Sequence, residues 1–466
     1  MTSEWKIAPL GEIARNVSRA FNFKNKDNVV FINTGDVLNG EFLHFNKSSV
    51  KGLPGQAKKA IANKDILYSE IRPGNKRYVF VRDCFTDDIV VSTKFMVLET
   101  KGPVIPEYLY LVLTSQECES EFKIIADSRS GTFPQITFDS VSHYPIKYPL
   151  KSIQKKIFEF DGALTSRIKI NNDINQTLEQ MAQALFKSWF VDFEPVKAQI
   201  AVLEAGGSQE DVTLAAMTSI SGKDANALAV FEREHPEQYA ELKTTAELFP
   251  SAMQESELGA IPKGWGVASI SEMGKVTCGK TPSKKEPEYY GSDVPFIKIP
   301  DMHGQLFVLK TNEYLSEVGS KSQLKKLVPA NSICVSCIAT IGVVSITNEP
   351  SHTNQQINSV TPHKSSLLYY LYFCMLGLKD HLHILGSAGS ATLNVNTSTF
   401  SGIKIAQPDA KVLELFHAKC THLFNEIKSL SVQTESLTQL RDTLLPKLLS
   451  GKITLPEAEQ IISEEA

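Results

Sequence analysis

VVFINTGDVLNGEF, residues 29–42, returns as VPFIKIPDMHGQLF at residues 294–307, and this near-copy decides how the chain is read. Phe31, Ile32 and Asp36 fall on Phe296, Ile297 and Asp301. Upstream, WKIAPLGEIA from Trp5 matches WGVASISEMG from Trp265. Downstream, EYLYLVL from Glu107 matches LLYYLYF from Leu367, and Pro149 matches Pro408. The offset stays between 259 and 265 residues throughout. Similar segments in one order at a nearly fixed offset mark an internal duplication, so two copies of one plan are expected.

Inside each copy, short β-rich runs such as NVVFI from Asn28, YVFV from Tyr78 and IVVSTKFMVL from Ile89 alternate with Gly, Pro and Asn turns. That pattern predicts a mixed α/β (α+β) globule. Past Pro149 and Pro408 the turn residues vanish and a helical repeat begins. One stripe at 4-3 spacing in the first copy is Leu164, Ile168, Asn171, Asn175, Leu178, Ala182, Leu185 and Trp189. At a constant offset of 259, the second copy gives Leu423, Ile427, Leu430, Thr434, Leu437, Arg441, Leu444 and Leu448. A heptad seam interrupted by polar residues is the pattern that fixes register in a coiled coil. Packing on its own globule alone would leave such a helix partly bare, because ~40 residues span ~60 Å, more than a ~150-residue domain. The nearest second partner is the other copy's helix. Since the chain returns through a globule between them, the pair is expected to run antiparallel with an approximate two-fold axis.

The expected division is therefore a first globular domain over 1–150, a long helix over 151–200 and an acidic, partly helical linker over 201–258. A second globular domain over 259–408, a second long helix over 409–450 and a frayed tail over 451–466 follow. Apolar groups off the seam, namely Ile174, Met181, Phe186, Phe190, Leu440, Leu445 and Leu449, predict an exposed patch on the helices.

At 466 residues with 42% hydrophobic content, the chain fills two or three cores. No apolar run reaches the ~20 residues of a membrane span, and the first thirty residues hold no signal-peptide core, so a soluble cytoplasmic protein is expected. The odd count of seven cysteines fits reduced thiols better than a disulfide framework. Cys334 and Cys337 form one CxxC, but apolar neighbours and the lack of a second ligand pair predict a buried strand and no metal. The net charge of -4 is unevenly spread: +2 over 1–150, +1 over 151–200, -7 over 201–256, +3 over 257–408 and -3 over 409–466. Both globular segments are thus mildly basic, which permits nucleic-acid binding.

Residues 274–281 spell GKVTCGKT, a literal match to the phosphate-binding pattern GxxxxGK[ST]. A working loop of that kind runs from a strand into a helix N-terminus. Here Pro282 and Pro287 follow at once and read as turn and extended chain. No fingerprint for S-adenosylmethionine and no recognisable nucleophile motif accompanies it. An enzyme built on the GKT match, or a DNA-free helical scaffold, are the alternatives to a binding protein.

Several segments resemble those of Type I restriction-modification specificity subunits, in that family's order. They are SEIRPGNKRYV from Ser69, ALFKSWFVDFEPV from Ala184, ELGAIPKGW from Glu257, GKTPSKKEPEYY from Gly279, TNQQINSV from Thr353 and LRDTLLPKLLSGKI from Leu440. The resemblance covers nearly the whole chain. It implies two target-recognition domains, each reading one half of a split site in double-stranded DNA, joined by two antiparallel helices that dock modification (methyltransferase) and restriction (translocase and nuclease) subunits. It also implies a non-catalytic chain without cofactors of its own, with S-adenosylmethionine, ATP and Mg on the partners. One departure stands out: where the second copy has GKTPS…YY, the first has RNVSRAFNFKNKDN from Arg15, so the two domains are expected to read different half-sites.

The candidate DNA contacts are Arg72, Asn75, Lys76 and Arg77 in the first copy and Lys280, Thr281, Ser283, Lys284, Lys285 and Tyr289 in the second. Gln135 and its aligned Asn394, each following a Gly/Ser/Thr turn, complete the set. Lys and Arg neutralise phosphates, and Arg, Asn and Gln make paired hydrogen bonds to base edges. The helix seam is assigned to Leu164, Ile168, Leu178, Leu185, Leu423, Ile427, Leu437 and Leu444.

Overall fold

The computed structural model describes residues 5–82, 86–128, 134–387 and 393–465. It divides into two compact units, one of Met1–Ile170 with Thr434–Ala466 and one of Asn171–Gln433.

In the first unit, Lys6–Pro9 pairs antiparallel with Pro145–Tyr148, so the globular segment begins and ends side by side. Between them lie two four-stranded sheets. One has the order Lys47–Ser49, Asn28–Ile32, Ile89–Ser92, Ala57–Ala60; the other Ala14–Asn16, Phe95–Thr100, Ile66–Ser69, Tyr78–Phe80. Side chains alternate along a strand, and here both faces of the second sheet are covered. Phe95 and Val97 join Leu67 and Val79 in a core with Val30, Ile32 and Val91 of the first sheet. Met96 and Leu98 join Ile66, Tyr68 and Phe80 beneath Tyr108, Leu111 and Phe122 of helices Pro106–Leu113 and Gln116–Asp127. That double burial is why IVVSTKFMVL reads as a nearly unbroken apolar run.

The second unit repeats the plan. Gly266–Ser269 closes against Lys404–Gln407. Its larger sheet runs Gly274–Cys278, Ile357–Pro362, Ile333–Ser336, Val344–Thr347, with Phe307–Val308 added at the edge. The smaller runs Tyr290–Gly291, Tyr314–Leu315, Val294–Ile297, His352–Thr353. Even the parallel pair recurs: Phe31 faces Val90 in the first unit and Phe296 faces His352 in the second. Cys334 is fully buried in the central strand and Cys337 just beyond it, and burial pushes both thiols up to about 11, so they stay protonated at neutral pH.

Two long helices, Lys151–Phe186 and Ala410–Ser450, contribute to both units. Every residue of the two 4-3 stripes is buried or half-buried. In the second unit Asn171 Nδ2 donates to Gln433 Oε1 at 2.8 Å and Asn175 Nδ2 to Ser431 Oγ at 3.0 Å. Numbers rise along one helix as they fall along the other, so the pair is antiparallel, and the polar seam residues fix its register. In the first unit Ile157 shares a core with Leu440, Leu444 and Leu448, and Arg441 offsets the burial that raises the Asp161 carboxyl.

The expected apolar patch is mostly absent. Phe190, Leu440 and Leu449 are buried and Phe186 and Leu445 half-buried; only Ile174 and Met181 remain exposed. The reason is that each helix ends in a plug. Phe186, Trp189 and Phe190 pack among Tyr370, Phe373 and Phe416 in the second unit, while Leu444, Leu448 and Leu449 enter the core of the first.

The acidic stretch is also more ordered than a linker. The first long helix passes into a π turn at Lys187–Val191, and four helices follow: Glu194–Glu204, Gln209–Ser221, Ala225–Glu234 and Pro236–Glu247. Ser208 and Asp224 accept hydrogen bonds from Asp211 N and Ala227 N as N-caps, and Gly222 ends the second helix at φ 68. Ala216, Met217, Leu228 and Ala246 form their own small core. The tail is not frayed either: Leu455–Glu465 is helical and buries Ala458. Among the described residues no helix is long and apolar enough to cross a membrane.

Candidate nucleic-acid interface

In the first unit the candidate cluster is the connection leaving strand Ile66–Ser69. Arg72 and Lys76, at φ 49 and 53, bracket a short turn at Pro73–Asn75. Two non-glycine residues in the left-handed region are costly, and such strain collects at working sites. Arg72, Asn75 and Lys76 are exposed. Arg77 differs: it is half-buried, and its Nη1 donates to the carbonyls of Gly35 at 2.9 Å and Val37 at 2.8 Å. Its guanidinium therefore ties down the neighbouring chain at Gly35–Val37.

In the second unit the cluster leaves strand Gly274–Cys278. Lys280, Ser283, Lys284 and Lys285 are exposed, and Thr281 and Tyr289 are half-buried. After Lys280 the chain runs without helix to a short turn at Pro287–Tyr289, so the GKT match lacks the helix N-terminus a phosphate loop needs. The loop is held from below. Lys280 N donates to Thr353 O at 2.9 Å, and Gln323 Nε2 donates to Lys280 O at 3.1 Å. A Cβ on Gly279 would lie 2.1 Å from Asn354 O and 2.3 Å from Thr353 O, so only glycine lets the strands approach. We expect Gly279→Ala to destabilise the second unit by about 1–3 kcal/mol through overpacking and to displace this loop. Denaturant midpoints measure the first effect, and an unchanged midpoint would contradict it.

His352 lies fully buried under the same loop, 2.9 Å from Ser320 Oγ through Nε2 and 3.4 Å from Gln323 through Nδ1. Burial lowers its pKa to about 4. The unfolded chain, with an ordinary histidine near ~6.5, thus binds the proton that the folded chain refuses. Stability from this group is complete above that value and is lost as pH falls towards 4. The loss is on the order of 3 kcal/mol when the shift is converted at ~1.36 kcal/mol per unit. Unfolding free energies of wild type and His352→Gln across pH 7 to 4 check this; parallel curves would contradict it.

The charged clusters come from non-equivalent connections. The second unit's counterpart of Arg72–Arg77 runs from Ala339 to Val343 and carries no basic residue. The first unit's counterpart of the Lys280 loop holds Arg19, engaged with Asp65 and Glu99, Lys26, paired with Asp88, and a single exposed Lys24 in place of the Lys284–Lys285 pair. Gln135 and Asn394, by contrast, are structural equivalents. Both are exposed, and they bridge Ile71 and Ile338, two residues past matching strands. Sequence reasoning passed over Gln355, an exposed side chain that accepts from Thr281 Oγ1 at 2.5 Å.

Comparison with known proteins decides the family. The description "Type I restriction modification DNA specificity domain" matches residues 2–180 and again 262–439, one match to each copy. The chain belongs to the Type I restriction-modification specificity family. The Type I restriction enzyme HindI specificity subunit of Haemophilus influenzae is 53% identical over 459 residues, covering 97% of this chain and 100% of that one. The MjaIX specificity subunit of Methanocaldococcus jannaschii is 21% identical over 457 residues, covering 97% and 93%. Among solved structures, the S subunit of a Type I system from M. genitalium superposes with a TM-score of 0.53 at 12% identity, covering 96% of each chain, and shows that this specificity-family chain shares its fold.

Proposed function

We propose that this specificity-family chain reads a bipartite site in double-stranded DNA, one half with residues 1–150 and the other with residues 259–408. The observation that carries this reading is a shared run of seven strands built twice, three in one sheet and four in the other, with different edge strands and different exposed polar loops. A shared scaffold with divergent loops suits a target whose halves differ. Lys76, Lys280, Lys284 and Lys285 would neutralise phosphates, and Arg72, Asn75, Gln135 and Asn394 would approach base edges. The chain itself is non-catalytic. S-adenosylmethionine, ATP and Mg belong to modification and restriction subunits, which dock on the long helices in the cytoplasm. Exposed Ile174 and Met181 support that docking, because their seven-residue spacing puts both on one face of the first long helix.

The test is selection of random duplexes, at one fixed salt concentration, by this chain assembled with modification subunits. A split motif should be enriched. Equal retention of all sequences would show binding without reading, and no retention would leave a DNA-free scaffold; either outcome contradicts the proposal.

A further inference from the structure

We infer that Gln355 is a base-reading residue of the second unit, held in its reading orientation by Thr281. The inference rests on the DNA-reading function proposed above and adds a residue and a mechanism to it.

Gln355 is exposed on the connection between strands His352–Thr353 and Ile357–Pro362. Its flanks are fixed. Asn354 is buried, its Nδ2 donates to Gln356 Oε1 at 2.9 Å, and Gln356 N donates back to Asn354 Oδ1 at 3.1 Å. An exposed glutamine ordinarily samples many rotamers, and fixing one costs entropy. Here Thr281 Oγ1 donates to Gln355 Oε1, which breaks the symmetry of the carboxamide. Among the described residues no hydrogen bond occupies Gln355 Nε2. A donor with a set direction and a neighbouring oxygen that retains accepting capacity is the geometry with which glutamine pairs with adenine N7 and N6 in the major groove. The anchoring residue belongs to the same loop as exposed Lys280, Lys284 and Lys285, cations suited to phosphates.

The first unit supplies a contrast. Register through Phe31–Val90 and Phe296–His352 puts Thr93 at the position of Gln355. Thr93 is half-buried, its N donates to Gln56 O at 2.9 Å, and its side chain offers no carboxamide. Equivalent connections therefore present different hydrogen-bonding groups.

The experiment uses the chain assembled with modification subunits, selecting from a random duplex library. Gln355→Ala should flatten the preference at one base pair of one half-site, with about 10- to 100-fold of discrimination lost there, and leave the other half-site unchanged. Gln355→Glu, which replaces the donor with an acceptor, should move the preferred base at that same pair towards cytosine. Thr281→Val should weaken the same position, and Thr281→Ser should restore it. If the variants keep the wild-type motif at every position with uniformly lower affinity, Gln355 is a backbone contact or a support and the inference fails while the function stands. If wild type itself selects no motif, both fail.

Discussion

Exchanging residues 265–408 for the matching segment of another specificity subunit is expected to change one half of the recognised sequence completely and leave the other half as it was. The segment is modular because its entry and exit are neighbours: Gly266 pairs with Gln407, as Lys6 pairs with Tyr148 in the first unit. A graft that enters and leaves at one point disturbs little else. The joint matters. A cut at 259 would split the hairpin Met253–Ser256 with Gly259–Pro262, whereas a cut at 265 leaves it whole. The graft must also keep the aromatic face of helix Leu368–Gly377, where Tyr369, Tyr370 and Phe373 meet Phe416 and Phe424 of the second long helix and Phe186 of the first. Selected motifs from the hybrid and both parents read the outcome. If both halves changed, the two-module account would be wrong.

The second large effect is expected from Trp189→Ala, at about 3–5 kcal/mol of stability. Trp189 is fully buried at the end of the first long helix, 5.1 Å from Phe249 and 6.2 Å from Phe416 by ring centroids. Its ring thus ties the long helices to the last turn before the hairpin at Met253. Removing it opens a cavity lined by aromatic groups that have little freedom to collapse. Trp189→Phe should cost much less, since the indole nitrogen is buried without a partner and its loss forfeits no hydrogen bond. Denaturant midpoints for both variants decide this. Equal, small losses would show that the plug does not anchor the helices.

Much of this architecture is legible in the sequence because periodicity is local. The paired motifs at Val29 and Val294 anticipate matching strands, and the 4-3 stripes anticipate a seam down to its polar members Asn171 and Asn175. What escapes sequence reasoning depends on contacts made far along the chain. Phe190 and Leu449 look like free surface until Tyr370 is found against the one and the core that holds Tyr108 is found to take in the other. The helices of 194–247 are short and acidic, so their caps carry more information than their composition, and the small core of Ala216, Met217, Leu228 and Ala246 has no strong apolar run to announce it. Arg77 and Gln355 show the same limit within the candidate interface. One basic residue proves to be engaged by backbone carbonyls, and one neutral residue inside TNQQ stands exposed beside Thr281, distinctions that only tertiary placement makes.

The most direct test of the central claim is to map methylated bases across the genome of a host carrying the complete system, with and without this gene. The account predicts that methylation at one split motif, two short specified halves separated by an unspecified gap, disappears with the gene and returns when it is restored. Methylation that persists unchanged without the gene, or a gene-dependent motif with no gap, would contradict it.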